Sequence, residues 1–340
     1  MALDCTKTDF PPVRACLFDM DGLLIDTEDI YTEVTNKLLA ECEGERTRMT
    51  WEIKAKVQGR PGPEATRIMW EWAGLNKKMS IDDYRKRYYE IQEELMRTTK
   101  PLPGVVALLN DLDRTVYWQV APKKTSEKRG DHLPNGAANG TPNCLTNGIN
   151  GALTNGTTKL FPRRVHIALA TSSHQSNFKL KTSHLEGVFS VFEMHRRVLG
   201  DDPEIPKGRG KPLPDIYLIA LDRINKSLPA GEAPIKPEEC LVFEDSVSGV
   251  EAGRRAGMRV VWVPHKDLLE QYKHRIPEVL AGQTGEAPPE AGPCPGKIGD
   301  GWAELLPSLE NFPYEKYGII IPPVEVEKED CMKGLMKINY

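Results

Sequence analysis

Short apolar runs alternate with amphipathic stretches along most of the chain. Four runs are rich in residues that favour strands, and they lie at 13–18, 165–170, 240–244 and 259–263. Helical patterns separate them: Pro214 stands where a first helical turn begins, and Gly257 follows VSGVEAGRRA as a C-terminal cap. Near-continuous apolar strands that alternate with helices are typical of a parallel sheet covered on both faces. The pattern therefore predicts an α/β fold.

Residues 29–98 break this rhythm, because they contain helical patterns and no convincing strand. Apolar and tyrosine side chains recur there at helical spacing, with charges opposite, at Ile81, Tyr84, Tyr88, Ile91 and Leu95. We interpret these tyrosines as core residues rather than as a ligand-binding motif. An all-helical block that follows the first strand predicts a lid inserted into the α/β domain.

Two stretches look inserted rather than folded. Residues 121–160 are rich in Asn, Gly and Thr, and such a segment buries too little apolar surface to offset its ordering entropy, which predicts disorder. Residues 281–301 form a second, Pro/Gly-rich stretch. The predicted organisation is core 11–28, helical cap 29–98, core 99–120, insert 121–160, core 161–280, insert 281–301, and a C-terminal segment with its tail at 302–340.

Charge and composition indicate the cellular compartment and exclude some classes of binding partner. The 340 residues carry a formal net charge of −4 with both signs mixed, which predicts neither a nucleic-acid nor a membrane partner. No run approaches the roughly 18 apolar residues of a membrane helix, and the N-terminus lacks the pattern of a secretory signal. Seven scattered cysteines without a Cys-x-x-Cys pair favour a reducing compartment. We expect a cytoplasmic protein, and nothing in the sequence identifies a protein partner.

The first predicted strand runs directly into DMDGLLIDTE. Asp19 and Asp21 are two residues apart on an extended run, so both carboxylates can point the same way. Ligands of parallel α/β sheets bind beyond the carboxyl ends of the strands, and Gly22 permits a close approach to the backbone. A simple Asp-Gly turn is the alternative. A calcium-binding loop is excluded, because Leu24 and Ile30 occupy the positions that require Gly and Glu.

Hydroxyls and a lysine supply candidate phosphate ligands. The second strand ends in Thr171, Ser172 and Ser173, and hydroxyls with backbone N–H groups at such a turn can hold phosphate oxygens or simply cap a helix. Lys211 lies in a Gly/Pro-framed loop before a helix, and its charge suits a phosphate. The loop does not fit the Walker pattern, because Ile205 stands where the first glycine is required.

Glu244 and Asp245 end another apolar strand, where an acid without a partner would be costly to bury. Adjacent carboxylates that face a second acidic pair suit a hard cation, and we predict Mg²⁺. The acidic pair, hydroxyl, lysine and second acidic pair thus stand at successive strand or loop ends, which parallel strands bring to one edge of the sheet.

This order of clusters closely resembles the haloacid dehalogenase superfamily of phosphohydrolases. FDMDGLLIDTE, ALATSS, GKPLPDIYL and LVFEDSVSGVEAGRRAGM also resemble its pseudouridine-5′-phosphatase and sugar-phosphate phosphatase branch. The resemblance skips both low-complexity stretches and covers about two thirds of the chain. It implies a Rossmann-like core with a small helical cap inserted after the first motif.

The resemblance also implies roles for the clustered residues. Asp19 is expected to be the nucleophile that forms an aspartyl-phosphate, and Asp21 the acid and base that protonates the leaving oxygen and then activates water. Thr171, Ser172 and Lys211 are expected to bind phosphate. Mg²⁺ is expected on Asp19, Asp21 and Asp245, with Glu244 in support. Halide release needs no proton and the family's dehalogenases lack the second aspartate, so Asp21 favours phosphoryl chemistry.

The substrate is expected to be a small phosphorylated metabolite, with pseudouridine 5′-phosphate suggested by the narrower likeness. Gly59 and Arg60 stand where relatives place a substrate loop; Arg60 could contact a ribose or base, or be an exposed arginine without that role. The stretch RPGP departs there from the relatives' pattern. A sugar- or polyol-phosphate phosphatase, a β-phosphoglucomutase-like mutase and a non-enzymatic scaffold remain alternatives.

Overall fold

A six-stranded parallel sheet forms the centre of the protein in the computed structural model, which describes residues 10–42, 46–60, 62–115 and 164–322. Its strands are β1 Ala15–Phe18, β2 His166–Ala170, β3 Arg197–Val198, β4 Cys240–Glu244, β5 Arg259–Trp262 and β6 Ala303–Leu305. They lie in the order β3-β2-β1-β4-β5-β6, and every pair is parallel. This order is that of a doubly wound, Rossmann-like sheet, which confirms the predicted fold class. The predicted insert at 121–160 lies outside the described residues.

The central strands are buried on both faces. Along β1, Cys16 and Phe18 join one hydrophobic cluster while Ala15 and Leu17 join another on the opposite side of the sheet. Successive side chains of a strand point to opposite faces, so a strand covered on both sides must be apolar throughout. This explains why the strands appear in the sequence as continuous apolar runs rather than as alternating ones.

Helices cover both faces of the sheet and also form a separate layer. They are α1 Thr27–Glu41, α2 Trp51–Val57, α3 Gly62–Trp72, α4 Ile81–Leu95, α5 Val105–Arg114, α6 Gln175–Thr182, α7 Glu186–Phe189, α8 Asp215–Lys226, α9 Val247–Arg255, α10 Lys266–Tyr272 and α11 Ile276–Ala281. Buried side chains of α5 and α6 pack on the face that carries Phe18, and those of α8 to α11 pack on the other. None of the helices in the described ranges is long and apolar enough to cross a membrane.

Helices α1 to α4 have a hydrophobic cluster of their own, which includes Val34, Leu38, Met69, Tyr84 and Ile91. Ser80 caps α4 by accepting a hydrogen bond from the backbone N–H of Asp83 at 3.1 Å. This layer follows β1 in the chain, so it lies beside the carboxyl end of the strand that carries the first acidic pair. We refer to α1–α4 as the cap.

The sequence patterns did not predict two of the strands, because these strands are very short. β3 has two residues and β6 has three, too few for a period-two pattern to show. β6 follows the Pro/Gly-rich stretch 281–301, which packs on the core rather than standing apart from it. Within that stretch Asp300 pairs with Arg254 of α9 at 2.5 Å, and Gln283 donates to the carbonyl of Gly296 at 2.7 Å.

Candidate active site

The predicted clusters meet where the strand order reverses. From β1 the chain continues to β2 and β3 on one side and later to β4, β5 and β6 on the other, so the crevice between β1 and β4 opens at their carboxyl ends. The backbone N–H of Asp19 donates to the carbonyl of Phe243 at 3.1 Å, which fixes the end of β1 against β4. Asp19 and the pair Glu244–Asp245 therefore lie side by side.

Lys211 joins the two acidic clusters. Its Nζ lies 2.5 Å from Asp19 Oδ1 and 2.5 Å from Glu244 Oε1, and its side chain is fully buried. Glu244 also accepts hydrogen bonds from the Tyr217 hydroxyl and from Ser246. Each oxygen of the Glu244 carboxylate thus has a donor, which holds the carboxylate behind Asp19 and fixes the lysine.

The electrostatics of the crevice follow from burial and crowding. Burial raises the pKa of Asp19 to about 7; Lys211 opposes this shift, and the carboxylates of Glu244 and Asp21 add to it. Burial, together with Glu28, Asp19 and Glu244, raises the pKa of Asp245 well above its usual range. The charged form of each acid is thus disfavoured unless positive charge is added to that of Lys211.

The donor set fits a hard divalent cation. Carboxylate oxygens of Asp19, Glu244 and Asp245 all lie within 4.8 Å of one another, and all three residues are buried. Mg²⁺ prefers oxygen ligands of this kind. Gly22 makes the approach possible, because its φ is +77° and a Cβ atom there would lie 2.1 Å from Asp245 Oδ2.

Asp21 points to a different set of partners from Asp19. Its Oδ2 accepts a hydrogen bond from Ser173 at 2.7 Å, and its Oδ1 lies 2.5 Å from Nζ of Lys181. The same Nζ donates to the Tyr31 hydroxyl and to Ser173, each at 2.7 Å. Lys181 is completely buried, so this network holds the Asp21 carboxylate in one orientation.

The two predicted hydroxyl ligands lie at the end of β2 and line the same cavity. Thr171 is buried, and its hydroxyl oxygen accepts from the backbone N–H of Ser173 at 3.1 Å. Ser172 donates its own hydroxyl hydrogen to the carbonyl of Gly59, a cap residue, at 3.0 Å. Ser172 therefore ties the cap to the sheet, a contact that the sequence does not show.

The cap closes over the crevice through the loop after α2. Gln58 donates to Asp245 Oδ2 at 2.5 Å, and its carbonyl accepts from Ser248 at 3.2 Å. The neighbouring Arg60 pairs with Glu64 of α3 at 2.9 Å and with Glu286 of the core. Two carboxylates thus engage the guanidinium, while Gly59 and Arg60 both line the cavity described below, so a substrate contact by Arg60 stays a prediction.

A cavity of about 160 Å³ connects the crevice with the cap. One water needs roughly 10–15 Å³ by such a measure, so the cavity has room for a small organic group. Asp19, Asp21 and Thr171 line its sheet end. Tyr31, Tyr84, Tyr88, Gln92 and Met69 line its cap end. The tyrosines of α4 thus belong to the cap core and also form a cavity wall.

Comparison with known proteins places the chain in a family. The sequence profile of the haloacid dehalogenase-like hydrolase family matches residues 13–257, more than half of the chain. This chain belongs to the haloacid dehalogenase-like hydrolases, as the four clusters predicted. The profile spans every residue of the acidic pairs and the lysine described above.

Its relatives carry more specific names. A probable pseudouridine-5′-phosphatase of Saccharomyces cerevisiae is 36% identical over 90% of this chain and 98% of its own length. (DL)-glycerol-3-phosphatase 1 of Arabidopsis thaliana, a mitochondrial protein, is 32% identical over 81% of this chain and 72% of its own. The crystal structure of β-phosphoglucomutase from Clostridium difficile is 18% identical and covers 76% of this chain and 88% of that chain, with a TM-score of 0.49. Both curated relatives are named phosphatases, which agrees with the predicted class of enzyme.

Several residues of the site were not found from the sequence, among them Lys181, Gln58 and Gln92. Lys181 shares α6 with Lys179, and only the fold shows that the first is buried and the second exposed. Gln58 and Gln92 lie on cap segments whose orientation depends on packing. Gln92 did leave a signal, because it is a polar residue between Ile91 and Leu95 on the apolar face of α4. A buried polar residue within an apolar stripe is the kind of exception that marks a functional position.

Proposed function

We propose that the protein is a Mg²⁺-dependent phosphomonoesterase that hydrolyses a small phosphorylated metabolite through an aspartyl-phosphate on Asp19. The observation that carries the proposal is the meeting of Asp19, Lys211 and the Glu244–Asp245 pair at the β1–β4 crevice, below a cavity that the cap covers. The phosphatase names of the two curated relatives support the same class of reaction.

Asp19 would act as the nucleophile. A carboxylate oxygen attacks phosphorus, the bond from phosphorus to the leaving oxygen breaks, and the phosphoryl group is carried on Asp19 until water displaces it. The anionic substrate and the carboxylate repel each other, and the ammonium group of Lys211, 2.5 Å from Asp19 Oδ1, offsets that repulsion. The hydroxyl of Thr171 lines the cavity where the phosphoryl oxygens would lie.

Asp21 would move the proton. In the first step its carboxyl group donates a proton to the leaving oxygen, and in the second its carboxylate takes one from the attacking water. Ser173 and Lys181 support this role because their contacts with both carboxylate oxygens hold Asp21 in one orientation. A group that acts once as acid and once as base must keep one position through both steps.

Asp19 and Asp245 would hold the Mg²⁺ ion with the backbone carbonyl of Asp21, and Glu244 would support them through Lys211. When bound, the ion would supply positive charge to the phosphoryl oxygens and permit the buried carboxylates to ionise. The raised pKa values of Asp19 and Asp245 support this assignment, since they show how strongly the crevice favours added positive charge.

Pseudouridine 5′-phosphate is the substrate we propose first, following the relative with 36% identity. The test is phosphate release by the purified protein from pseudouridine 5′-phosphate, ribose 5-phosphate, glycerol 3-phosphate, glucose 1-phosphate and acetyl phosphate, with Mg²⁺ and with EDTA. We expect Mg²⁺-dependent release, highest for pseudouridine 5′-phosphate. Faster release from glycerol 3-phosphate would replace this substrate by a polyol phosphate. Conversion of glucose 1-phosphate into an isomer without phosphate release would identify a mutase and overturn the proposal.

A further inference from the structure

The side-chain amide of Gln92 on α4 is buried in the cap, yet it has no hydrogen-bond partner among the described residues. Its exposed fraction is 1%, and neither Nε2 nor Oε1 is paired within the part of the chain that the structure describes. Buried side-chain amides with a purely structural role are normally hydrogen-bonded, because an unpaired donor or acceptor loses its hydration without compensation. The Gln92 amide can therefore bind a partner that the described residues do not supply.

The position of Gln92 connects it with the reacting groups. It lines the same cavity as Asp19 and Asp21, one helical turn beyond Tyr88 and two beyond Tyr84. Residues four apart on a helix share one face, so the amide and the two phenol rings form a continuous wall. Tyr31 is a further lining residue, and its hydroxyl contacts Lys181 beside Asp21.

The side chains of this wall determine which kind of ligand group it can bind. A glutamine amide offers one acceptor and, next to it, one donor in a single plane. It pairs best with a rigid group that carries a donor beside an acceptor, such as the lactam edge of a uracil-type base. Tyrosine rings and Met69 provide the apolar surface on which a planar ring packs.

We propose that Gln92 is a specificity-determining residue that binds the lactam edge of a planar, nucleobase-type leaving group. This inference rests on the proposed phosphatase function and adds to it the residue that distinguishes a nucleotide from a sugar phosphate. Gln92 lies on the cap wall of the cavity and makes no side-chain hydrogen bond to Asp19, Asp21 or Lys211, so its contribution is to binding the leaving group rather than to bond breaking.

Binding is measured by calorimetry in an Asp19→Asn background, where no turnover occurs. The ligands are pseudouridine 5′-phosphate and ribose 5-phosphate, which share the phosphate and the sugar and differ in the base. Gln92→Leu keeps the size of the side chain and removes both polar atoms. Gln271→Leu, on the exposed face of α10, is the matched control.

We expect Gln92→Leu to raise the Kd for pseudouridine 5′-phosphate by about 10- to 100-fold, the range for loss of a bidentate contact to a base. The Kd for ribose 5-phosphate should change less than about twofold, and Gln271→Leu should change neither. The melting temperature of Gln92→Leu should be equal to or above that of its parent, because an unpaired amide is replaced by an apolar group.

Three results would overturn the inference: equal loss for both ligands, unchanged binding of the nucleotide, or a parent protein that binds the nucleotide no better than ribose 5-phosphate. A different result would refute the proposed phosphatase function. If the wild type releases phosphate from none of its substrates, acetyl phosphate included, the phosphatase assignment falls, whereas a selective effect of Gln92→Leu on Kd would still identify the base-binding site.

Discussion

Lys181 Nζ lies 2.5 Å from Asp21 Oδ1, so a buried lysine holds the carboxylate that is proposed to move the proton. Lys181→Met removes this contact and frees the Asp21 side chain to rotate. We expect kcat to fall on the order of 10²-fold, the lower end of what a misplaced acid–base group costs, while KM changes less than about threefold. Steady-state kinetics with and without Mg²⁺ measures both parameters.

Lys179→Met is the matched control, since Lys179 lies two residues earlier on α6 and is exposed. It should retain full activity. Circular dichroism at the assay temperature verifies that both variants are folded. Equal kcat values for the two folded variants would show that Lys181 does not position Asp21.

Asp245→Asn is expected to stabilise the metal-free protein. Burial and neighbouring carboxylates raise the pKa of Asp245, so the folded state binds a proton that the unfolded state has already released. Stability is therefore lost as pH rises from the ordinary value of 3.8 towards the raised one, and the amide variant avoids that loss. In EDTA at pH 7.5 we expect its melting temperature to be about 2–6 °C above that of the wild type.

The same comparison near pH 3.5 should show little difference, because Asp245 is then protonated in the wild type as well. Added Mg²⁺ should raise the melting temperature of the wild type at pH 7.5 and leave that of Asp245→Asn nearly unchanged. Equal stabilisation of both proteins by Mg²⁺ would remove Asp245 from the proposed ligands.

Gly22→Ala tests whether the close approach of the backbone to Asp245 is essential. The substitution adds both a left-handed backbone strain and a Cβ atom 2.1 Å from Asp245 Oδ2. Gly208→Ala is the control, since its φ is +80° and nothing lies within 4 Å of the added atom. Chemical denaturation should show a loss of about 1 kcal/mol for Gly208→Ala and a clearly larger loss for Gly22→Ala. Similar losses would mean that Gly22 serves only the turn.

Arg60 is expected to stabilise the contact between cap and core rather than to bind the substrate. It pairs with Glu286, and side-chain exposures of 16% and 17% leave the two groups little solvent screening. In a double-mutant cycle, Arg60→Gln and Glu286→Gln should show a coupling free energy of about 0.5–2 kcal/mol in stability. Arg67→Gln, which removes an exposed pair with Glu71 on α3, should cost about 0–0.5 kcal/mol.

The kinetic result separates the two roles of Arg60. A link between cap and core predicts the same proportional change in kcat/KM for pseudouridine 5′-phosphate and for acetyl phosphate. A selective loss for the nucleotide alone would restore Arg60 as a substrate contact.

The sequence located the sheet and the acidic clusters because both obey rules that act locally. Strands buried on both faces must be apolar, and polar residues at their carboxyl ends must then meet at one edge, which is how Asp19 and Asp245 could be paired across more than two hundred residues. The partner of Asp21 could not be chosen in this way. Lys179 and Lys181 are both compatible with a helix, and only tertiary packing decides which one is buried.

In the cap, too, sequence patterns could not predict tertiary packing. Helical spacing predicted that Tyr84 and Tyr88 face inward, but it could not show that their core also borders a cavity. The sequence left Arg60 either as a substrate contact or as an exposed arginine, because Glu286, its partner, is distant in sequence and lies in a stretch that was predicted to be an insert. Ion pairs between residues so distant in sequence depend on how the segments pack, and the periodicity of the sequence does not predict them.

The central claim is that Asp19 carries the phosphoryl group. Reaction with substrate and Mg²⁺, rapid quenching and borohydride reduction convert an aspartyl-phosphate into homoserine, which peptide mass spectrometry locates in the chain. We predict homoserine at position 19, only when both substrate and Mg²⁺ are present, and none in Asp19→Asn. Phosphate release that continues in Asp19→Asn, or homoserine at position 21 instead, would contradict the account.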